Sequence, residues 1–315
     1  MKGRRKDKVS VIMPVYNAGE LLNCSVRSAL GQTHQNIEVI VVDDGSSDDS
    51  AEVAQALGSA DTRVQVVSQP NQGPGVARNK GLYLATGDFV TFLDADDYWA
   101  DGCIEKLLAP LEGSGAAIAY CGWQNVGLSG GKGEPFVPPD YSTGDVVETF
   151  LRSCPWPIHA ALSCREVVVD AGGFDEQLTS CMDYDLWLRL ATQHPIVRVP
   201  EVLAFYVHHE AEQITKNRLR GALNHWQVQK KFIQSHPEVL KRLGRRKIRD
   251  LTYGALLQRA YQSYWDRELH VAHPLFRTVM KGGYGRISEW KYMLPALLPE
   301  AVYKSLLSRI DQRRE

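Results

Sequence analysis

The chain has 315 residues, 44% hydrophobic and 23% charged, with a formal net charge of −1. No run approaches the roughly 18–20 apolar residues that a bilayer span requires. The apolar stretch behind the basic MKGRRKDK is also too short for a signal peptide, so a cytoplasmic protein is expected. From 216 to 315 the sequence carries 21 Lys and Arg against 8 Asp and Glu, a net +13, which leaves −14 on the rest. That asymmetry predicts a separate basic module over 216–315, facing an anionic partner or membrane. Nucleic acid is excluded, because no stacking or groove-reading motif accompanies the charge.

Val9–Val15 is β-branched and apolar and predicts a buried strand. A helix follows over Glu20–Gly31, then a second strand over Ile37–Val42 that stops at Asp43-Asp44-Gly45-Ser46. Asp48–Leu57 predicts a helix with Asp and Ser as capping material. Val64–Val67 predicts a third strand and Gly73–Ala85 a helix opened by glycine and proline. Phe89–Leu93 predicts a fourth strand, ending at Asp94-Ala95-Asp96-Asp97. Strands alternating with helices imply βαβ units and a mainly parallel α/β sheet. Residues 112–145, rich in Gly and Pro, predict a long surface loop. Short helices are expected at Val146–Arg152, Arg165–Ala171 and Asp183–Thr192. Beyond 216 the pattern is helical, broken at His236-Pro237, Gly282-Gly283 and the prolines 295 and 299. The six cysteines form no CxxC pair and no zinc-like spacing, which predicts reduced thiols.

In open parallel sheets, ligands sit at the carboxyl ends of strands. Three of the four predicted strands end there in polar tips: Tyr16-Asn17, Asp43-Asp44 and Asp94–Asp97. The last is the sharpest signal. Two carboxylates at i, i+2 can share a divalent cation that bridges a diphosphate; the plainer alternative is a solvated acidic turn. Asp44 could accept from a nucleobase or ribose, or merely cap a helix. In NQGPGVARNKGL, a glycine-rich helix start favours phosphate, and Arg78 could reach that phosphate or cover a helix face. Asp183 opens a helix and could take a proton from an acceptor hydroxyl, or serve as an N-cap. His208-His209 could lend a nitrogen to the cation, or be a surface pair.

Together these segments resemble the family 2 inverting glycosyltransferases. VSVIMPVYN resembles that family's opening strand, VVDDGSSDDS its nucleoside segment and GPGVARNKGL its third segment. FVTFLDADDYW resembles the DxD segment, and GGFDEQL followed by DYDLWLRL the acceptor-side segment. The likeness runs over Lys8–Thr215. It implies a GT-A fold over 1–215, a helical appendage over 216–315, and transfer with inversion from a nucleoside-diphosphate sugar, UDP-linked, to a hydroxyl on a carbohydrate or lipid-linked acceptor. Surface polysaccharide or glycolipid assembly is the implied setting, and the basic charge of 216–315 separately predicts a peripheral contact at the inner face of the membrane. Pro14, Tyr16 and Asp44 fall where the family holds the nucleoside, and Asn17, Arg78, Asp94 and Ala95 complete the donor side. Asp96 falls at the carboxylate that binds Mn or Mg, His209 (with His208 as alternative) at the late histidine, and Asp183 at the catalytic base. Two departures stand out. Met182 occupies a position that is often acidic, and Val207 one that is often arginine. The sequence leaves two other classes open, a sugar nucleotidyltransferase and a non-catalytic nucleotide-sugar binder. Trp99, Trp156 and His159 are expected to shape acceptor choice.

Overall fold

The computed structural model describes residues 7–127, 133–209 and 216–312, with side chains to 307. The basic start of the N-terminus, residues 1–6, lies outside the described residues, as do 128–132 of the expected loop and 210–215. The chain divides into two compact units, Met1–Ala211 and Glu212–Glu315.

The first unit runs β1 (Val9–Val15), α1 (Leu21–Leu30), β2 (Ile37–Asp43), α2 (Ser50–Ala60), β3 (Val64–Ser68), α3 (Pro74–Leu84) and β4 (Phe89–Phe92). It continues through β5 (Tyr98–Trp99), α4 (Cys103–Ser114), β6 (Ile118–Val126), α5 (Val146–Arg152), β7 (Ala161–Cys164), α6 (Arg165–Asp170), α7 (Met182–Ala191) and β8 (Ile196–Val207). The sheet order is β3-β2-β1-β4-β7-β6-β8-β5. β1, β2, β3 and β4 pair in parallel, whereas β7 is antiparallel to both β4 and β6. The result is a mixed α/β sheet, in keeping with the expected fold class.

The chain leaves β1 toward β2 and β3 on one side and returns with β4 on the other, which places a topological switch point beside β1. Register brings the carboxyl ends level. Val15 stands opposite Asp43, and Asp43 opposite Ser68. The ladder carries on past the strands: Asp44 N donates to Val15 O at 2.8 Å, and Leu93 N to Ile12 O at 3.0 Å. Tyr16, Asp44, Gln69 and Asp94 therefore emerge at one edge. α3 lies against β1 at van der Waals distance, because a Cβ on Gly81 would stand 2.4 Å from Ile12 Cγ2. A side chain at that position would push the helix, and Arg78 with it, off the sheet.

At the opposite edge Glu38 accepts from Lys8 Nζ (2.7 Å), Ser10 Oγ (2.6 Å) and Thr86 N (2.7 Å). Burial would raise its pKa, but these bonds, led by Lys8, hold it down to about 2.

The long loop expected over 112–145 is corrected. α4 runs to Ser114 and β6 fills 118–126, with most of β6 buried. The segment folds back so that Trp123 and Phe136 exchange backbone hydrogen bonds at 2.9 Å. Glycine and proline were the misleading signal here. Gly122 is needed because a Cβ there would meet Phe136 O at 2.7 Å.

The second unit contains α8 (Arg218–Ser235), α9 (Pro237–Arg249), α10 (Ala255–Trp265), α11 (Leu269–Lys281), α12 (Trp290–Met293) and α13 (Glu300–Gln312), with a π-helical turn at Asp250–Gly254. Its core gathers Leu256, Ala260, Leu275, Phe276, Met293 and Tyr303. The expected breaks are present at His236-Pro237, at Gly282-Gly283 and around the prolines 295 and 299, and two unexpected ones join them: a kink at Gly244 (φ +77°) inside α9 and the gap between Trp265 and Leu269.

Candidate active site

Asp44 is buried, and its carboxylate holds the segment that leads into α3. Oδ1 accepts from Gln69 Nε2 (2.8 Å) and Gln72 N (2.9 Å), and Oδ2 from Gly73 N (2.7 Å). A carboxylate offers about four lone-pair sites, so three accepted bonds leave about one for a ligand. Beside it, Asn17 adopts φ +50° and its Oδ1 accepts from Ser47 N at 2.8 Å. Tyr16 is 54% exposed, a ring left standing at the strand tip, while Pro14 is half-buried in the strand itself.

α3 carries Arg78, which is buried and donates from Nη2 to Asp94 Oδ1. Its guanidinium also sits 5.6 Å over the Phe174 ring, and Phe174 packs edge-on against Phe92 of β4. Arg78 therefore does not cover a helix face. It is fixed between β4 and the 172–175 turn with its charge against Asp94. Asn79 secures the same turn, its Oδ1 accepting from Phe174 N (2.8 Å) and its Nδ2 donating to Phe174 O (2.9 Å). Gly173, at φ +66°, could not carry a Cβ, which would lie 2.5 Å from Asn79 Oδ1.

Ala95 is buried and its carbonyl accepts from Ser25 Oγ at 2.7 Å, which anchors the acidic tip to α1. Asp96 turns the other way, with Oδ2 2.9 Å from His209 Nε2. Of the two histidines, His209 meets Asp96, while His208 Nε2 lies 3.1 Å from Asn125 Oδ1. Two cis ligands of an octahedral cation, each at about 2.1 Å, stand roughly 3 Å apart, so the carboxylate–imidazole separation already suits a shared divalent cation. Magnesium and manganese sites rely on one or two carboxylates plus substrate phosphates. A set this small fits that chemistry, although among the described residues no group of three or more His, Cys, Asp or Glu gathers as a metal site.

Asp97, the fourth residue of the acidic tip, points into the protein. Its Oδ1 accepts from Val207 N at 2.8 Å and its Oδ2 lies 3.1 Å from His159 Nδ1, both side chains being fully buried. Burial pushes Asp97 up to about 6 against the pull of His159, with Asp96 and Asp94 adding to the rise. Burial pulls His159 down, but Asp97, Asp94 and Asp96 outweigh it and hold the imidazole toward its charged form. The pair pins the end of β8, two residues before His209. Sequence reasoning did not assign it, because Asp97 and His159 lie 62 residues apart. The expectation that Trp99, Trp156 and His159 face an acceptor is corrected. All three are buried, and Trp99 Nε1 donates to His159 O at 2.7 Å.

Asp183 stands in the first turn of α7, half-buried. Burial holds its pKa above the usual carboxylate range, opposed by the backbone N–H of Tyr184 and by Arg78, while Asp94 adds to the rise. Asp183 is thus within electrostatic reach of the Arg78–Asp94 pair. Cys154 Sγ lies 3.9 Å from Asp183 Oδ2. Burial, then the Asp183 charge, keeps that thiol protonated, so it acts as a weak donor to the carboxylate. Met182, where an acid was expected by resemblance, is buried beside Gly75 of α3. Asp185 is buried and joined to Arg189 at 2.8 Å, and Arg189 in turn donates to Ala171 O and Gly173 O. Its task is to hold the turn. All six cysteines are free thiols.

The family model for glycosyl transferase family 2 matches residues 10–161. An uncharacterised glycosyltransferase of Haemophilus influenzae is 50% identical over 101 residues, 32% of this chain and 40% of that protein. A putative teichuronic acid biosynthesis glycosyltransferase, TuaG of Bacillus subtilis, is 35% identical over 152 residues, 47% of this chain and 60% of that protein. Less than two thirds of the length of either relative is spanned. Among solved structures, S. aureus TarS 1–349 in complex with UDP-GlcNAc superposes with a TM-score of 0.58 at 19% identity, covering 97% of this chain and 92% of that one.

Proposed function

We propose that the chain, whose residues 10–161 match the glycosyl transferase family 2 model and whose fold is GT-A-like, is a glycosyltransferase of that family that transfers a sugar from a UDP-linked donor to a hydroxyl acceptor with inversion. The observation that supports the reading is that the strand tip at Asp94–Asp96 carries both the Arg78–Asp94 pair, within electrostatic reach of Asp183, and the Asp96–His209 pair.

Tyr16, Asn17, Pro14 and Asp44 line the nucleoside side, Tyr16 by its exposed ring and Asp44 by ordering the Gln69–Gly73 backbone. Asp94, oriented by Arg78, faces the sugar and diphosphate, and Ala95, itself buried, holds the backbone of that tip in place through Ser25. Asp96 and His209 would hold a divalent cation, Mn or Mg, which when bound neutralises charge on the diphosphate. Asp183 accepts the proton of the acceptor hydroxyl. The oxygen then bonds to the anomeric carbon while the bond from that carbon to the diphosphate oxygen breaks, and the nucleoside diphosphate departs with the bonding pair. Base and leaving group stand on opposite faces, so configuration inverts. The elevated pKa of Asp183 supports the base role, because a carboxylate above its usual range is a better proton acceptor.

The domain boundary near 215, with a catalytic 1–215 and a basic helical 216–315, belongs to the same proposal. So does the setting, surface polysaccharide or glycolipid assembly on a carbohydrate or lipid-linked acceptor. The teichuronic acid name of the B. subtilis relative supports it. Among the described residues no helix is long and apolar enough to cross a membrane; a peripheral contact of 216–315 with the inner face of an anionic membrane would bring such an acceptor within reach. The test is to supply the protein with a panel of nucleotide sugars and Mn, and to assay nucleoside diphosphate. Release of nucleoside diphosphate supports transfer chemistry. Pyrophosphate in its place, or no product across the panel, contradicts it.

A further inference from the structure

We propose that the second unit docks on an anionic lipid bilayer through one face, formed by an apolar strip over 287–306 and the basic helix α9. This deepens the membrane contact inferred above and rests on it. Ile287, Trp290, Leu294, Leu297, Val302 and Leu306 are exposed by 88, 46, 45, 56, 49 and 38%. Ile287, Trp290, Leu294 and Leu297 recur at steps of three, four and three through the short helical turns up to Leu297, and Val302 and Leu306 stand four apart on α13, the same-face spacing within each piece. Between them Met293, Ala296, Tyr303 and Leu307 turn inward and are buried in the core of the unit. Each piece of the segment is therefore amphipathic, and its outer side carries these large apolar side chains beside Lys291 and the exposed Glu300–Lys304 ion pair.

The cations stand next to this strip. α9, kinked at Gly244, exposes Lys241 and Arg242 before the kink and Arg245, Arg246, Lys247 and Arg249 after it, and buries only Val239 and Ile248. At its end Arg249 Nη2 donates to Gly282 O at 3.1 Å, and its guanidinium lies 5.9 Å from the Tyr284 ring. Tyr284 Oη in turn donates to Asp250 Oδ1 at 2.8 Å. The basic helix thus ends on the turn that leads into Ile287, which joins charge to apolar surface. Charge complementarity selects the occupant. Two copies meeting through this face would set the six exposed cations of α9 against those of the other copy. An anionic bilayer accepts the cations at its headgroups, the Trp290 indole at its interface and the aliphatic side chains just below.

The experiment sediments the full-length protein with vesicles of phosphatidylcholine alone and of phosphatidylcholine mixed equally with phosphatidylglycerol. The wild type should pellet with the mixed vesicles and stay in solution with the neutral ones, and high salt should weaken the binding. Leu297→Ser with Val302→Ser should cut partition more than tenfold. Arg245→Ser with Arg246→Ser should cut it about fivefold per cation. All four positions lie on the surface, and both variants should bind UDP with Mn as the wild type does. Equal binding to both vesicles, binding to neither, or full binding by both variants overturns the proposal. So does an oligomer in light scattering that Leu297→Ser with Val302→Ser breaks while vesicles are ignored, because a second copy would then cover the face. Vesicle binding without nucleoside diphosphate release would overturn the catalytic reading and leave the docking face standing; the reverse result would do the opposite.

Discussion

Replacing Asp183 by Asn separates catalysis from structure more cleanly than any other single change. The side chains are isosteric, and the asparagine Oδ1 can keep the bond from the Tyr184 backbone N–H that the carboxylate accepts. What is lost is the ability to take a proton. General base catalysis contributes about 10²–10⁴ in rate, so kcat should fall by that factor, about 2.7–5.5 kcal/mol in the barrier. KM for the donor should stay within a factor of about two, because the proposed base would act on the acceptor and not on the nucleotide.

The stability effect should have the opposite sign. Burial holds the folded-state pKa of Asp183 above its unfolded value, so the native state binds the proton more tightly than the unfolded chain. Stability therefore falls as pH rises from the unfolded pKa through the folded one, and ionised Asp183 weighs against folding above that window. Asn carries no charge, so the variant should unfold at the same or a higher urea concentration at neutral pH. The wild-type rate should fall as pH drops through the raised pKa, an acid limb lying above the ordinary carboxylate value. Steady-state kinetics and urea melts test both halves. A variant that retains kcat within tenfold, or that loses activity and stability together, would refute the reasoning.

Arg78→Ala should cost about 3 kcal/mol in urea melts, because it strands Asp94 beside a buried gap, and should raise KM for the donor as Asp94 loses its orientation. Asp97→Ala leaves His159 buried without its counter-charge and frees Val207 N; a loss of about 3–5 kcal/mol is expected, with weaker donor binding as His209 shifts. Glu38→Gln should cost about 1.5–3 kcal/mol. In the wild type the Glu38 contribution is complete above the unfolded pKa near 4.5 and disappears as pH falls toward about 2, so acid melts of wild type and variant should converge there.

β1, β2 and β4 were legible because strands buried on both faces read as mostly apolar runs, the edge strand β3 because its three valines stand out between polar residues, and the polar ends of the strands marked the ligand edge. The second half of the sheet was less so. IAYCGWQNV mixes polar and apolar residues and has a register shift at Gly122, and IVRVPEVLAFYV is interrupted by Pro200. α4 has Pro110 inside it, which masked its periodicity. Among site residues, single positions could be named, but their partners could not. That Arg78 pairs with Asp94, Asp97 with His159, and His209 rather than His208 with Asp96 depends on tertiary packing across 16, 62 and 113 residues. Asp44 shows the limit from the other side. Its position at a strand end was clear, but its bonds to Gln69, Gln72 and Gly73 needed the folded loop.

The account depends most on Asp96 and His209 providing the place where a cation meets a nucleoside diphosphate. Calorimetric titration of UDP into wild type and Asp96→Ala, each with and without Mn, tests this directly. UDP should bind the wild type strongly only when Mn is present, and Asp96→Ala should lose that Mn-dependent gain while remaining folded. Equal UDP binding with and without Mn, or an undiminished gain in Asp96→Ala, would contradict the assignment.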